Sequence, residues 1–307
     1  MTDKVTLVEV GLRDGLQNER TAVPAATRAD WFNRLARAGL PRIEAGSFVS
    51  PKWVPQMAGT DEVIAAIERP TGAAVEVLVP NQKGLEGALA AGCDRIAVFT
   101  AASEAFTRKN INCSIEESIE RFRPVIEQSR QQGIPVRGYV SCIVGCPYDG
   151  PIAPAQVAQV VEQLLALGID DVSLGDTIGV ARPREIQQLL DAVMPLVPTE
   201  RLALHCHDTF GQALANVLTG LERGIRTFDS AVAGLGGCPY ARGASGNLAT
   251  EDLLYLLQGQ GLETGVDLEQ VLSVGQDICH HLQRSTPSRV ARARGYGDTP
   301  TASTQGD

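Results

Sequence analysis

Two of the chain's four histidines stand two residues apart, as His205-x-His207 in the stretch LALHCHD. Leu202 and Leu204 alternate with smaller residues before them, the pattern of a strand whose alternate side chains share a face. On a strand the two imidazoles aim at one point near its end, which suits a metal ion. Such a pair also occurs as hydrogen-bonded core histidines, and the motif alone does not choose. Asp14 and Asn247 could complete a set of one carboxylate, two imidazoles and one amide oxygen. With no thiolate, that set favours an octahedral divalent ion with positions open for substrate. Mg²⁺ or Mn²⁺ comes first, and Zn²⁺, Co²⁺ or Fe²⁺ is compatible. Asn247 follows Gly246, so a turn is its alternative role.

Other side chains could act beside such an ion. Arg13 precedes Asp14 in GLRDG, and a guanidinium there can stabilise an enolate or hold a carbonyl oxygen. Its other reading is a loop arginine paired to Asp14. Glu44 and Asp176 fall at strand ends, where ionised groups need partners. They could orient Arg13, a histidine or a substrate hydroxyl, or be structural. Cys238 lies in GLGGCPYARGASGN (234–247), whose glycines allow a loop to close over a site. A thiol there could exchange a proton once water is excluded, or be inert. The run lacks the order of a phosphate loop.

These groups need a scaffold that gathers them. Strand-like runs are Val5–Val10, Arg42–Glu44, Val75–Val79, Arg95–Phe99, Val136–Tyr139, Asp171–Leu174, Leu202–His205 and Thr227–Ala231. Amphipathic segments separate them. In Ala155–Leu167, Val157, Val160, Val161, Leu164 and Leu165 follow helical spacing. Ser114 and Glu117 form a capping box opening another helix, which Pro124 should bend. Helices end in glycine at Gly39, Gly92, Gly133, Gly168 and Gly224, each followed closely by a strand, as in parallel sheets. Eight such units predict an α/β fold, a (β/α)8 TIM barrel with an extra C-terminal helix over Asp267–Gln283. An open doubly wound sheet is the alternative. The polar residues favour closure, because only a closed barrel puts the end of strand 1 beside that of strand 8. Long loops are expected at Ser47–Thr60, Thr100–Cys113, Ser141–Pro154 and Ala233–Ala249. Residues 1–284 read as one barrel domain, and 285–307 as a flexible tail.

The chain has 307 residues, 44% of them hydrophobic, enough for one barrel of about 250 residues. Acidic residues outnumber basic ones 36 to 27, for a net charge of −9, which argues against nucleic acid as a partner. No apolar run approaches the ~20 residues of a membrane span. Seven scattered cysteines fit a reducing compartment better than a disulfide framework.

The sequence closely resembles the 3-hydroxy-3-methylglutaryl-CoA lyases. The resemblance rests on GLRDGLQNE (11–19), SFVSPKWVPQM (47–57), FTRKNINCSIEES (106–118), RGYVSCIVGCPYDG (137–150), SLGDTIGV (173–180), HCHDTFGQALAN (205–216) and AGLGGCPYARGASGNLATEDL (233–253). LRDG and H-x-H alone would indicate only the wider metal-dependent barrel group, which includes condensing synthases. The Cys238 loop points to the lyases. The resemblance implies Asp14, His205, His207 and Asn247 as metal ligands, Arg13 as the enolate-stabilising arginine, Cys238 as the catalytic loop cysteine, and Glu44 and Asp176 as supporting acids. Leu12 stands where many members carry proline, and Ala231 where they carry a small polar residue. A regulatory cysteine near the C-terminus is missing.

The implied reaction is cleavage of (S)-3-hydroxy-3-methylglutaryl-CoA to acetoacetate and acetyl-CoA, with Asp176, His205 or an oxygen at the metal as base. Alternatives are a lyase for a longer 3-alkyl homologue, an acetyl-CoA/2-oxo acid synthase and a non-catalytic metal-binding barrel. Candidate substrate contacts are Gln17, Arg20, Arg108, Lys109, Asn110, Tyr139 and Ser173. A homodimer is expected, and the absence of a recognisable leader suggests the cytoplasm.

Overall fold

The computed structural model describes residues 4–69, 72–237 and 246–296. Eight parallel strands close into a barrel. They are β1 (Thr6–Glu9), β2 (Arg42–Ser47), β3 (Ala74–Leu78), β4 (Arg95–Ala101), β5 (Val136–Ser141), β6 (Asp171–Asp176), β7 (Leu202–Cys206) and β8 (Thr227–Ser230). Closure is explicit in the register. Thr6 pairs with Thr227 and Glu9 with Ser230, while the other edge of β1 pairs Val8 with Arg42. The open-sheet alternative is thereby excluded, and the ends of β1, β7 and β8 meet at one mouth.

The helices form for the reasons read in the sequence. Pro154–Leu167 starts at a proline and buries Val157, Val160, Val161 and Leu164. Its C-cap, Gly168, takes φ 88°, a left-handed conformation that ends the helix without a Cβ clash. Ser114 and Glu117 form the capping box, and the helix Ile115–Gln131 runs on through Pro124. The helix read as Asp267–Gln283 is Leu268–His281, with Asp267 as N-cap. Among the described residues no helix is long and apolar enough to cross a membrane.

Two expectations need correction. The loop Thr100–Cys113 contains a helix, Glu104–Ile111, capped by the Ser103 hydroxyl. Residues 285–296 are not a loose tail. Ser288 donates to Asp252 at 2.7 Å, the same carboxylate accepts the Arg289 and Val290 amides, and a short helix follows at Arg289–Ala293. Polar composition suggested mobility, but one buried acid organises the segment. Residues 297–307 lie outside the described residues.

The lower barrel interior carries charge. Arg42 and Arg95 both reach Asp171, at 2.8 and 3.2 Å, and Arg95 reaches Glu76 at 3.1 Å. Arg137 pairs with Asp229 at 2.8 Å, both fully buried. Buried ions persist only when mutually compensated, so this network fixes the layer on which the site stands.

Candidate active site

The stretch after β1 sets the site's first wall. The Val10 carbonyl accepts the amides of Arg13, Asp14 and Gly15 at 3.1, 2.8 and 3.2 Å, winding GLRDG into a π-helical turn. Glu9 pins that turn to the far side of the barrel seam. One of its oxygens accepts Gly11 N at 2.8 Å and Val232 N at 2.9 Å, and the other accepts the Thr250 hydroxyl at 2.7 Å. Burial pushes the Glu9 carboxyl up to about 7 against the pull of these hydrogen bonds. A Cβ at Gly11 would lie 2.6 Å from that carboxylate, so the approach requires glycine.

The turn presents Arg13 and Asp14 to the mouth. Arg13 Nε donates to Glu44 at 2.6 Å, and Nη1 donates to Asp14 at 2.7 Å. Tyr139 donates to the other Glu44 oxygen at 2.9 Å, and its ring lies 5.3 Å from the Arg13 guanidinium carbon. Burial pushes the Glu44 carboxyl upward while Arg13 draws it down. Burial raises the Tyr139 phenol well above its ordinary range, so it serves as a neutral donor. Glu44 thus holds two groups in fixed aim, and Arg13 Nη2 makes no hydrogen bond among the described residues.

β7 supplies the histidines. His205 pairs in register with Gly175 on one side and Asp229 on the other. Its Nδ1 lies 3.2 Å from Asp229, which also accepts the Ser173 hydroxyl at 2.7 Å. This carboxylate fixes the ring and leaves Nε2 free to ligate. The His207 and His205 ring centroids are 5.3 Å apart, and His207 Nε2 lies 3.9 Å from Asp14. Burial, helped by His205 and Arg13, lowers the His207 imidazole to about 4 despite Asp14, so it is neutral at pH 7. Burial works against ionisation of Asp14, but Arg13 and the two histidines hold it well below the usual carboxylate range.

Asn247 bridges to His207 and donates from Nδ2 across the barrel seam to Asp14 at 2.9 Å and to the Leu235 carbonyl at 3.0 Å. Asp14, His205 and His207 bring one ligand atom each within 4.8 Å of one another. Two imidazole nitrogens and an ionised carboxylate are the donor types that suit a divalent cation. The buried His207 Nδ1 has no partner among the described residues. The residues present fit a metal.

A cavity of about 430 Å³ opens above this cluster. Arg13, Asp14, Gln17, Tyr139, His205 and His207 line it with Lys109 and Asn110, and Leu78, Phe99 and Phe106 give it an apolar side. Glu44 and Asn247 stand behind Arg13 and Asp14 rather than in that wall, and four more expected residues lie elsewhere. Ser173 is fully buried beneath His205, with its hydroxyl on Asp229. Arg20 is exposed, and Arg108 is exposed beside Glu104 at 3.7 Å. Asp176 follows Gly175 on β6 and so faces away from the barrel axis, accepting the amides of Val180 and Ala181 at 3.1 and 2.9 Å. Burial raises it to about 6 against those bonds. It shapes the loop after β6 rather than reaching the cavity. Asp229, Arg137 and Glu9 were missed by sequence reasoning. For Arg137 and Asp229 the signal was a charged residue at an inward strand position; Glu9, one step on from Val8, which pairs with Asp229, points the other way and carried no such signal.

Cys238 lies outside the described residues, but both ends of its loop are placed. Gly237 lines the cavity and accepts from Asn18 Nδ2 at 2.9 Å. Asn247 N donates to Leu235 O at 3.3 Å, closing the stem. Ala233 enters the stem with φ 56°, a strained value held by Glu251, which accepts its amide at 2.8 and 3.0 Å.

A family model described as HMGL-like matches residues 4–278. The mitochondrial hydroxymethylglutaryl-CoA lyase of Bos taurus is 56% identical over 290 residues, covering 94% of this chain and 89% of that protein. The cytoplasmic 3-hydroxy-3-methylglutaryl-CoA lyase of Rattus norvegicus is 55% identical over 293 residues, covering 95% and 85%. The crystal structure of hydroxymethylglutaryl-CoA lyase from Pseudomonas aeruginosa aligns with TM-score 0.93 and 55% identity, over 96% of this chain and 98% of that one. A match of this extent, on a barrel that brings Arg13, Asp14, His205 and His207 to one mouth, means that the chain belongs to the HMGL-like family.

Proposed function

We propose that the chain is a divalent-metal-dependent carbon–carbon lyase cleaving (S)-3-hydroxy-3-methylglutaryl-CoA to acetoacetate and acetyl-CoA. The observation that carries this reading is the placement of Arg13, locked by Glu44, in the same cavity as the Asp14, His205 and His207 cluster. Asp14, His205 and His207 would hold the cation, with Asn247 as a fourth ligand through its amide oxygen. Mg²⁺ or Mn²⁺ suits the set best. Such an ion would act as a Lewis acid toward the substrate's tertiary hydroxyl and a neighbouring oxygen.

The protein's part follows from the geometry. Asp229 braces the His205 ring so that Nε2 meets the cation, and the ion would supply the acidity that lets the hydroxyl proton pass to solvent. Breaking the carbon–carbon bond leaves an acetyl-CoA enolate. Arg13, with Nη2 uncommitted, offsets its charge, and Glu44 and Tyr139 prevent the guanidinium from turning away. Cys238 protonates the enolate carbon from the loop whose stem borders the cavity. Gln17, Lys109 and Asn110 contact the thioester side of the substrate. The chain works as a homodimer in the cytoplasm.

Two measurements test this. Turnover of the thioester should vanish on chelation and return with Mg²⁺ or Mn²⁺; undiminished turnover in chelator would refute the metal's role. Arg13→Met should lower kcat by about 10²–10³, the usual effect of deleting one electrostatic donor, while Mn²⁺ affinity is retained. Near-normal turnover in that variant would remove the basis of the assignment.

A further inference from the structure

Trp53 is 87% exposed, the most exposed large apolar side chain among the described residues. A tryptophan so open to water is uncommon, because its ring gains most from burial. Its backbone is fixed nonetheless. Trp53 N and Val54 N both donate to the Ser50 carbonyl, at 2.9 and 3.1 Å. Gln56 Nε2 ties the same loop to Glu19 O at 2.9 Å, and Met57 anchors it in the core. The indole therefore projects from a rigid turn.

Its position is informative. Trp53 and Val54 line the outer part of the cavity whose inner end holds Arg13, Asp14 and the histidines. At about 430 Å³ that cavity is of the size that takes a modest ligand. It accommodates the branched acyl group, and the long carrier arm must leave through the mouth. An apolar plate on the rim, next to an otherwise polar inner site, matches the mixed methyl and amide surface of that arm.

We infer that Trp53 is a substrate-binding residue, the platform on which the pantetheine arm of the acyl-CoA thioester lies at the barrel mouth. The inference rests on the lyase reading and adds the part of the substrate recognised there. Covering about 60 Å² of apolar surface corresponds to roughly tenfold in binding.

The test compares three thioesters of the same acyl group, carried on N-acetylcysteamine, pantetheine or coenzyme A. Trp53→Ala should lower kcat/KM about tenfold for the last two, through KM with kcat unchanged. It should leave the N-acetylcysteamine thioester unaffected, and Trp53→Phe should recover part of the loss. Because Trp31 is buried, iodide quenching reports on Trp53 alone, and coenzyme A with Mg²⁺ should shield it in the wild-type protein. Equal loss on all three thioesters would make the role structural, and no loss would end it. Loss confined to the coenzyme A thioester would move the contact to the nucleotide and overturn the assignment. Shielding that follows protein concentration without coenzyme A would show the face covered by a second copy, also against the inference. If the wild type turns over none of the thioesters, the lyase reading fails, while the shielding measurement still decides the contact.

Discussion

Replacing Glu251 by glutamine should make the protein more stable above neutral pH. The Glu251 side chain is fully buried and binds the Ala233 amide. Burial, with Glu9 and Asp252 nearby, pushes its carboxyl from an ordinary 4.5 up to about 8 despite that hydrogen bond. Between those two pH values the folded protein keeps a proton that the unfolded chain releases. Stability therefore falls as pH rises through this window, by ~1.4 kcal/mol per pH unit, and levels off above the folded value. Over the whole window the loss is roughly 5 kcal/mol. Glutamine carries no such charge and keeps an acceptor for Ala233. Urea unfolding midpoints for both proteins at pH 5.5, 6.5, 7.5 and 8.5 would measure it. The advantage of Glu251→Gln should grow from pH 5.5 to 7.5 and flatten toward pH 8.5. A difference that is the same at every pH would show that Glu251 is ionised throughout in the folded protein, and the reasoning would be wrong.

Glu44→Ala should destabilise the fold by about 3–5 kcal/mol, because it leaves the buried Arg13 guanidinium without its main partner. Glu44→Gln, which still accepts from Tyr139, should cost less, and a thermal shift comparison would reverse the reasoning if alanine were the milder change. Gly236→Ala should lower both turnover and Mn²⁺ affinity measured by calorimetry. Gly236 has φ +111°, and an added Cβ would stand 2.7 Å from Asn247 Nδ2. Gly261→Ala is the control. There φ is +69° with nothing within 4 Å, so it should cost backbone strain of about 1 kcal/mol and leave activity intact. Equal loss of activity in the two variants would refute a role for the Gly236–Asn247 contact.

The repeating glycine-ended helices and the alternation of strands were legible because both are local. A left-handed C′ residue such as Gly168 and a proline start such as Pro154 set one turn of chain each. Asp14, His205 and His207 were legible for a related reason. In a closed parallel barrel, every residue just past a strand's C-terminal end faces the same mouth. Asp176 shows the limit. It sits at a strand end beside the site in sequence terms, yet one step of strand alternation turns it outward to hold the Val180 and Ala181 amides.

The sequence by itself determined the eightfold α/β repeat, the candidate cation donors Asp14, His205 and His207, and the family, since these depend on residue type and short spacing. Only the tertiary structure decided how they work together. Glu44 reaches Arg13 across 31 residues, Asp229 braces His205 from the next strand, and Glu9 spans the closing seam to Val232 and Thr250. It also turned residues 285–296 from expected tail into packed chain around Asp252. The physical reason is common to all of these. A buried charge or polar group must find its compensation in three dimensions, and the partner it finds is set by barrel register rather than by distance along the chain.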